Sequence, residues 1–210
     1  MIMSCNKKKI IFATKNENKY AKIKRLLKDL NYEILSLADI PEKIIAPKET
    51  GFSPKEIAEE KARYYWAKLG KSIAVLTQDD VLDFCGNVSK EDNSGLSIKS
   101  PVIRRYGKFN DTTAIKFYSS LAKKYGGEID ILFRYGHAYI DKAGIKSKES
   151  VIRAKLVSKP RGVEKVGNYP LRAITKVKVG NNYIYSTEIS AKDRLEVDSG
   201  ILKSLLEILK

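Results

Sequence analysis

Residues 10–27 read IIFATKNENKYAKIKRLL. Ile10, Ile11, Phe12 and Ala13 are apolar-leaning and form a short run suited to a buried strand. Thr14, Lys15, Asn16, Glu17, Asn18 and Lys19 follow, all polar. Beyond them Ile23, Leu26, Leu27 and Leu30 recur at helical spacing. The pattern predicts a first strand over 8–13, a polar turn and a first helix over about 18–30. The turn breaks from strand to helix through six polar residues with no glycine. Backbone N–H groups at a helix start make an anion site. Thr14 and Asn16 add hydrogen-bond donors and Lys19 adds a charge. An Asn-capped helix with solvated lysines would give the same letters.

The chain has 210 residues, which suits one sizeable domain or two closely joined lobes. Hydrophobic residues make up 43%, enough for a packed core, which argues against disorder. Lys and Arg number 40 against 25 acidic residues, a net charge of +15. That sign favours anionic partners: nucleotides, nucleic acid or a membrane surface. The lysines are spread along the chain, as on a surface kept soluble by charge. Cys5 and Cys85 form no CxxC pair and His137 is the only histidine, which argues against structural zinc. The start, MIMSCNKKK, lacks the apolar segment of a secretory signal, and no apolar run is long enough to span a bilayer. A soluble protein of the reducing cytoplasm is expected.

Further along, NYEILS (31–36) reads as a second strand and 38–52 as loop. Ser53, Pro54 and Glu56 form an S-x-x-E start for a helix. Ile57, Ala58, Ala62, Tyr65, Trp66 and Leu69 are its apolar stripe and Gly70 its end. Lys61 lies near that stripe, an odd place for a solvated lysine unless it reaches an edge. SIAVLT (72–77) is a buried strand that runs into Gln78-Asp79-Asp80, with ligands expected at that strand end. Residues 86–100 read as loop, and a third helix starts at Asp111 or Thr112. IDILFRYGHAYID (129–141) and SKESVIRAKLV (147–157) read as long paired strands around a turn near 142–144. NYIYSTEI (182–189) is a last strand, Ser190-x-x-Asp193 a capping signature, and 201–209 an amphipathic helix. Glu49, Asp79 and Asp80 are candidate hard ligands for Mg²⁺. A carboxylate at Asp79 could also orient or deprotonate water.

Taken together, T-x-N-x-x-K (14–19), E-T-G-x-S (49–53) with Lys61-Ala62, and the acidic pair after a strand resemble the inosine triphosphate pyrophosphatase family. KLVSKPRG (155–162) and TEISAKDR (187–194) resemble two further family segments, in order and at matching spacing. The resemblance implies an α/β fold: an elongated mixed sheet with flanking helices, forming two lobes around a central cleft in a single domain over 1–210. It implies a homodimer and Mg²⁺-dependent hydrolysis of a nucleoside triphosphate to monophosphate and pyrophosphate. Carried over by position, Thr14, Asn16, Lys19, Lys61 and Arg194 bind phosphates. Glu49 helps hold metal with Asp79 and Asp80, and Asp79 is the catalytic carboxylate.

The base-reading end departs from the family. Val166, Gly167, Asn168 and Tyr169 stand where the family has an aromatic and an aspartate. Asp198 and Ser199 stand in its S-H-R segment, Gln78 replaces an acidic residue, and Lys22 another. Phosphate positions persist while base-selecting ones change, so a redirected base preference is expected. The alternative from another class is a catalytically weakened basic protein on the same fold that binds nucleotides or RNA. Its supports are the +15 charge, Arg104-Arg105-Tyr106 and 12 tyrosines.

Overall fold

The computed structural model describes residues 7–41, 44–86, 88–93, 95, 97–167 and 169–210. Its strands are β1 Lys8–Phe12, β2 Tyr32–Ser36, β3 Ala74–Phe84, β4 Glu128–Asp141, β5 Gly144–Val157, β6 Thr175–Val179 and β7 Asn182–Tyr185. The α-helices are α1 Glu17–Leu26, α2 Pro54–Lys68, α3 Ser100–Tyr106, α4 Asp111–Lys124, α5 Ala191–Val197 and α6 Ser199–Leu209. The strands hydrogen-bond in the order β2-β1-β3-β4-β5-β6-β7, a mixed α/β fold. The chain divides into two compact units. The first is Met1–Asp79, Tyr135–Glu149 and Leu202–Lys210; the second is Asp80–Arg134 and Ser150–Ile201.

In the first unit β1 pairs in parallel with both β2 and β3. Parallel strands covered on both faces read as unbroken apolar runs. Ile10, Ile11, Phe12, Val75 and Leu76 accordingly have almost no exposed surface. Helix α2 covers one face, where Ala58, Ala62 and Tyr65 cluster with Ala13, Val75, Ala138 and Ile140. Thr77 fixes that packing: its hydroxyl donates to Ala58 O at 2.6 Å, with Ala138 O at 3.3 Å. The β4–β5 hairpin turns through Lys142 and Ala143, where Asp141 Oδ1 accepts from Ala143 N at 2.9 Å.

Three expectations change here. The strand expected at 72–77 begins at Ala74 and runs to Phe84, so Gln78-Asp79-Asp80 lies inside β3 rather than at its end. Val81 and Leu82 are fully buried beyond the acidic residues, and burial of that kind keeps the strand extended. The capping box at α2 is only half made. Ser53 Oγ accepts from Glu56 N at 3.1 Å, but the Glu56 carboxylate accepts from Phe52 N at 2.8 Å, one residue before the cap. A 3₁₀ turn at Leu37–Asp39, capped by Ser36, also interrupts the expected loop.

In the second unit α3 was not anticipated; Pro101 sits in its first turn and Gly107, at φ 72°, ends it. Helix α4 starts at Asp111 as expected, with the Asn110 side chain accepting from Thr113 N at 2.9 Å. Tyr118 is fully buried and its hydroxyl donates to Ile98 O at 2.8 Å. Strand β6 was also missed; it pairs antiparallel with β5 and β7. The last strand stops at Tyr185 because the chain turns there, Glu188 N donating to Tyr185 O at 2.8 Å. Ser190 caps α5 as its signature predicts, accepting from Asp193 N at 3.1 Å.

Gly136 is where β4 meets the start of α2. A β-carbon there would stand 2.0 Å from Pro54 O and 2.3 Å from Lys55 N. Backbone cannot yield as a flexible side chain would. Gly136→Ala is expected to destabilise the protein by about 3 kcal/mol or more. Gly200→Ala, with open space around it, is expected to be neutral or mildly stabilising. Denaturant unfolding of the two variants measures the contrast.

Candidate active site

Lys61 sits on α2 between Ile57 and Tyr65, four residues from each and on the same helix face. That face is buried, and the Lys61 side chain is only 17% exposed. Its ammonium is met by two carboxylates. Asp79 Oδ1 lies 2.6 Å from Nζ and Glu49 Oε1 lies 2.7 Å from it. Asp79 reaches Lys61 because odd-numbered residues of β3 face α2, as Val75 and Thr77 do. Gln78 and Asp80 are then directed to the other face. Gln78 is buried, and its Oε1 has no hydrogen-bond partner among the described residues.

Burial alone pushes the Lys61 ammonium down, but Asp79 and Glu49 outweigh it and hold its pKa above the ordinary lysine value. A raised folded-state pKa contributes stability that is complete below about pH 10.4 and is lost as pH climbs past it. Wild type is therefore expected to lose more stability than Lys61→Met over that alkaline range, as read by unfolding free energies at matched pH.

The second cluster is the turn between β1 and α1. It leaves the sheet where Ala13 N donates to Leu76 O at 2.9 Å, beside β3. Thr14 Oγ1 accepts from Asn16 N at 3.1 Å, and Asn16 Oδ1 accepts from Asn18 N at 3.0 Å and Lys19 N at 3.1 Å. Side-chain oxygens thus take backbone N–H groups that an anion would otherwise use. What the turn offers a ligand is the Thr14 hydroxyl hydrogen, the Asn16 amide N–H₂ and the lysine side chains. A cavity of about 400 Å³ opens against it, lined by Thr14, Asn16, Tyr20, Leu37, Ile40 and Ile44 among others.

The structure brings Glu49, Lys61 and Asp79 into one cluster and Thr14, Asn16 and Lys19 into one turn, both within the first unit. Among the described residues no three His, Cys, Asp or Glu side chains stand close enough to hold a metal ion by themselves. The expected trio of Glu49, Asp79 and Asp80 is therefore not a preformed cage; alternation along β3 separates Asp80 from the other two. Two hard carboxylates at one place still suit Mg²⁺, which takes one or two together with phosphate oxygens and water.

The remaining candidates belong to the second unit. Arg194 Nη2 donates to Ser186 O at 2.5 Å and lies 3.2 Å from Ser186 Oγ, so part of its donor set ties α5 to the residue after β7. Val166 and Asp198 are buried, Gly167 is left-handed at φ 56°, and Ser199 is exposed. Burial raises the Tyr169 phenol well above its ordinary range, with Asp80 adding to the effect. Asn168 lies outside the described residues.

Sequence reading missed Glu60. Its Oε2 accepts from Thr50 N at 3.1 Å and Gly51 N at 3.2 Å, and its Oε1 accepts from the Thr50 hydroxyl at 2.7 Å. These bonds span nine or ten residues, so no local pattern announces them. Thr77 was missed as well, although a threonine inside a fully apolar strand is itself a signal of a buried hydrogen bond.

The profile of the Ham1 family matches residues 10–170. The chain belongs to the Ham1 family. Two solved structures share its fold. A HAM1 protein from Coxiella burnetii is 19% identical, with 96% of this chain and 98% of that chain covered at a TM-score of 0.71. The nucleoside-triphosphatase, dITP/XTP pyrophosphatase of Mycobacterium abscessus is 22% identical, with 95% and 96% covered at 0.62. No match was found among curated protein sequences. The resemblance read from the motifs is thus borne out at the level of family and fold. No helix among the described residues is long and apolar enough to cross a membrane.

Replacing Asn16 separates its two jobs. Asn16→Ala is expected to cost about 1 kcal/mol of stability through the lost helix cap, while Asn16→Asp keeps the cap and the stability. Thermal unfolding of both variants checks this.

Proposed function

We propose that this chain is a nucleoside triphosphate pyrophosphohydrolase, converting a nucleoside triphosphate and water to the monophosphate and pyrophosphate. The observation that carries the reading is Lys61 held between Glu49 and Asp79 in the same unit as the Thr14–Lys19 turn. Family membership and the activity named for the Mycobacterium abscessus relative support it. A triphosphate tail carries about four negative charges, and attack at its α-phosphorus needs that charge balanced. Lys19 and Lys61 supply charge, and Thr14 and Asn16 supply neutral donors. Asp79, its carboxylate oriented by Lys61, takes the proton of the attacking water as oxygen bonds to the α-phosphorus and pyrophosphate leaves. Arg194 is the further phosphate-binding cation that the family resemblance implies.

Mg²⁺ would be held by Glu49 and Asp79 and would add positive charge beside the phosphates. We infer in addition a base preference moved away from inosine and xanthosine. Asn168 stands where the resembled motif has its stacking aromatic and Tyr169 where it has an aspartate, and Ser199 and Gly200 stand where it has histidine and arginine; a changed set of hydrogen-bonding groups changes which base is accepted. A cytoplasmic homodimer completes the reading.

Pyrophosphate release from a panel of nucleoside triphosphates with Mg²⁺ tests it. Wild type is expected to release pyrophosphate, and Asp79→Asn to fall at least ~100-fold. Asn16→Asp is expected to raise KM sharply while the fold stays intact, because a carboxylate repels phosphate. Release from no nucleotide overturns the activity. Clear preference for inosine or xanthosine triphosphate overturns the redirected specificity alone.

A further inference from the structure

Glu49 comes from a loop, yet the proposed chemistry needs its carboxylate fixed to within a fraction of an ångström. Lys61 attracts it, but one ion pair to a half-exposed side chain does not hold a loop in place: the Glu49 side chain is 51% exposed. The loop is anchored elsewhere. Three donors of Thr50 and Gly51 converge on the Glu60 carboxylate at 2.7–3.2 Å. Phe52 N donates to Glu56 at 2.8 Å. These contacts form successive rungs: 49 with 61, 50 with 60, then 52 with 56. The loop therefore runs back along α2 and is stapled to it by two carboxylates. Gly51 permits the close approach, since a β-carbon there would lie 2.9 Å from Glu56 Cβ and from Ile57 N.

We propose that Glu60 is a positioning residue that acts through Glu49: it holds the Thr50–Gly51 backbone against α2 and so delivers the Glu49 carboxylate to Lys61. Both oxygens of the Glu60 carboxylate are engaged by the loop, and Lys61 acts on it as a neighbouring charge. The Thr50 hydroxyl and amide, with the Gly51 amide, hold its carboxyl below the ordinary range, so it stays a charged acceptor throughout the neutral range. The consequence for catalysis rests on the pyrophosphohydrolase reading; the consequence for geometry does not.

The test separates the two. In uniformly labelled protein, the nuclear Overhauser contact between the Glu49 γ protons and Lys61 ε protons is followed in wild type, Glu60→Ala and Glu60→Gln. The contact is expected in wild type, lost in Glu60→Ala and largely retained in Glu60→Gln, which keeps one acceptor oxygen. Alanine is a strong helix former, so α2 should persist and the melting temperature should move little. Pyrophosphate release should fall about tenfold in Glu60→Ala and be rescued in Glu60→Gln, as for removal of a group that orients a ligand. In a Glu49→Gln background Glu60→Ala should add no further loss. Persistence of the Glu49–Lys61 contact in Glu60→Ala overturns the proposal, as does full additivity with Glu49→Gln. Loss of the contact in a protein whose wild type releases no pyrophosphate keeps the positioning role and rejects the activity.

Discussion

A lysine on the apolar stripe of a helix is unfavourable unless its charge is answered nearby. Lys61 is answered twice, by Asp79 from the middle of a strand and by Glu49 from a loop. Removing one carboxylate leaves the other; removing both strands a cation in a mostly buried position. The first unit is arranged so that this does not happen. Thr77 ties β3 to α2 two residues before Asp79, and Gly136 lets the backbone of α2 lie directly against β4. The distance between helix and strand is therefore set by packing, and the ion pair fits the spacing that packing leaves.

The same economy appears in the turn after β1. Tight turns that open helices commonly rely on glycine for their backbone shape. Here Thr14 and Asn16 shape the turn by accepting three backbone N–H groups. In the proposed site, stability and recognition would draw on different atoms of the same residue. The carbonyl oxygen of Asn16 caps the helix, and its amide nitrogen is the donor that the proposed site would use. A charge-free donor beside lysines adds direction to a site whose attraction is otherwise long-ranged and undirected.

Much of the fold could be read from the chain because its strands and helices carry their own periodicity. β1, α1, the start of α2, α4 and the long β4–β5 hairpin follow from apolar spacing and caps. The extent of β3 could not be read, because Gln78, Asp79 and Asp80 look like a strand end; only pairing and burial beyond them extend the strand to Phe84. β6 is five residues with alternating lysines, too short for its period to stand out. At the site, Lys61, Glu49 and Asp79 were legible by motif. Glu60 was not, since its partners lie ten residues back and ion-pair spacing on a helix points elsewhere. The separation of Asp80 from Asp79 needed the strand register, which turns adjacent letters to opposite faces.

Gly136 has a consequence beyond its own packing. With Pro54 O already where a β-carbon would go, α2 has no slack along its axis toward β4. At Pro54 the helix start cannot move closer to β4, and moving away would open a gap there. The order that a polyphosphate would otherwise have to impose is already present in the folded chain. A polyphosphate bound as proposed would meet this edge of α2 already in place.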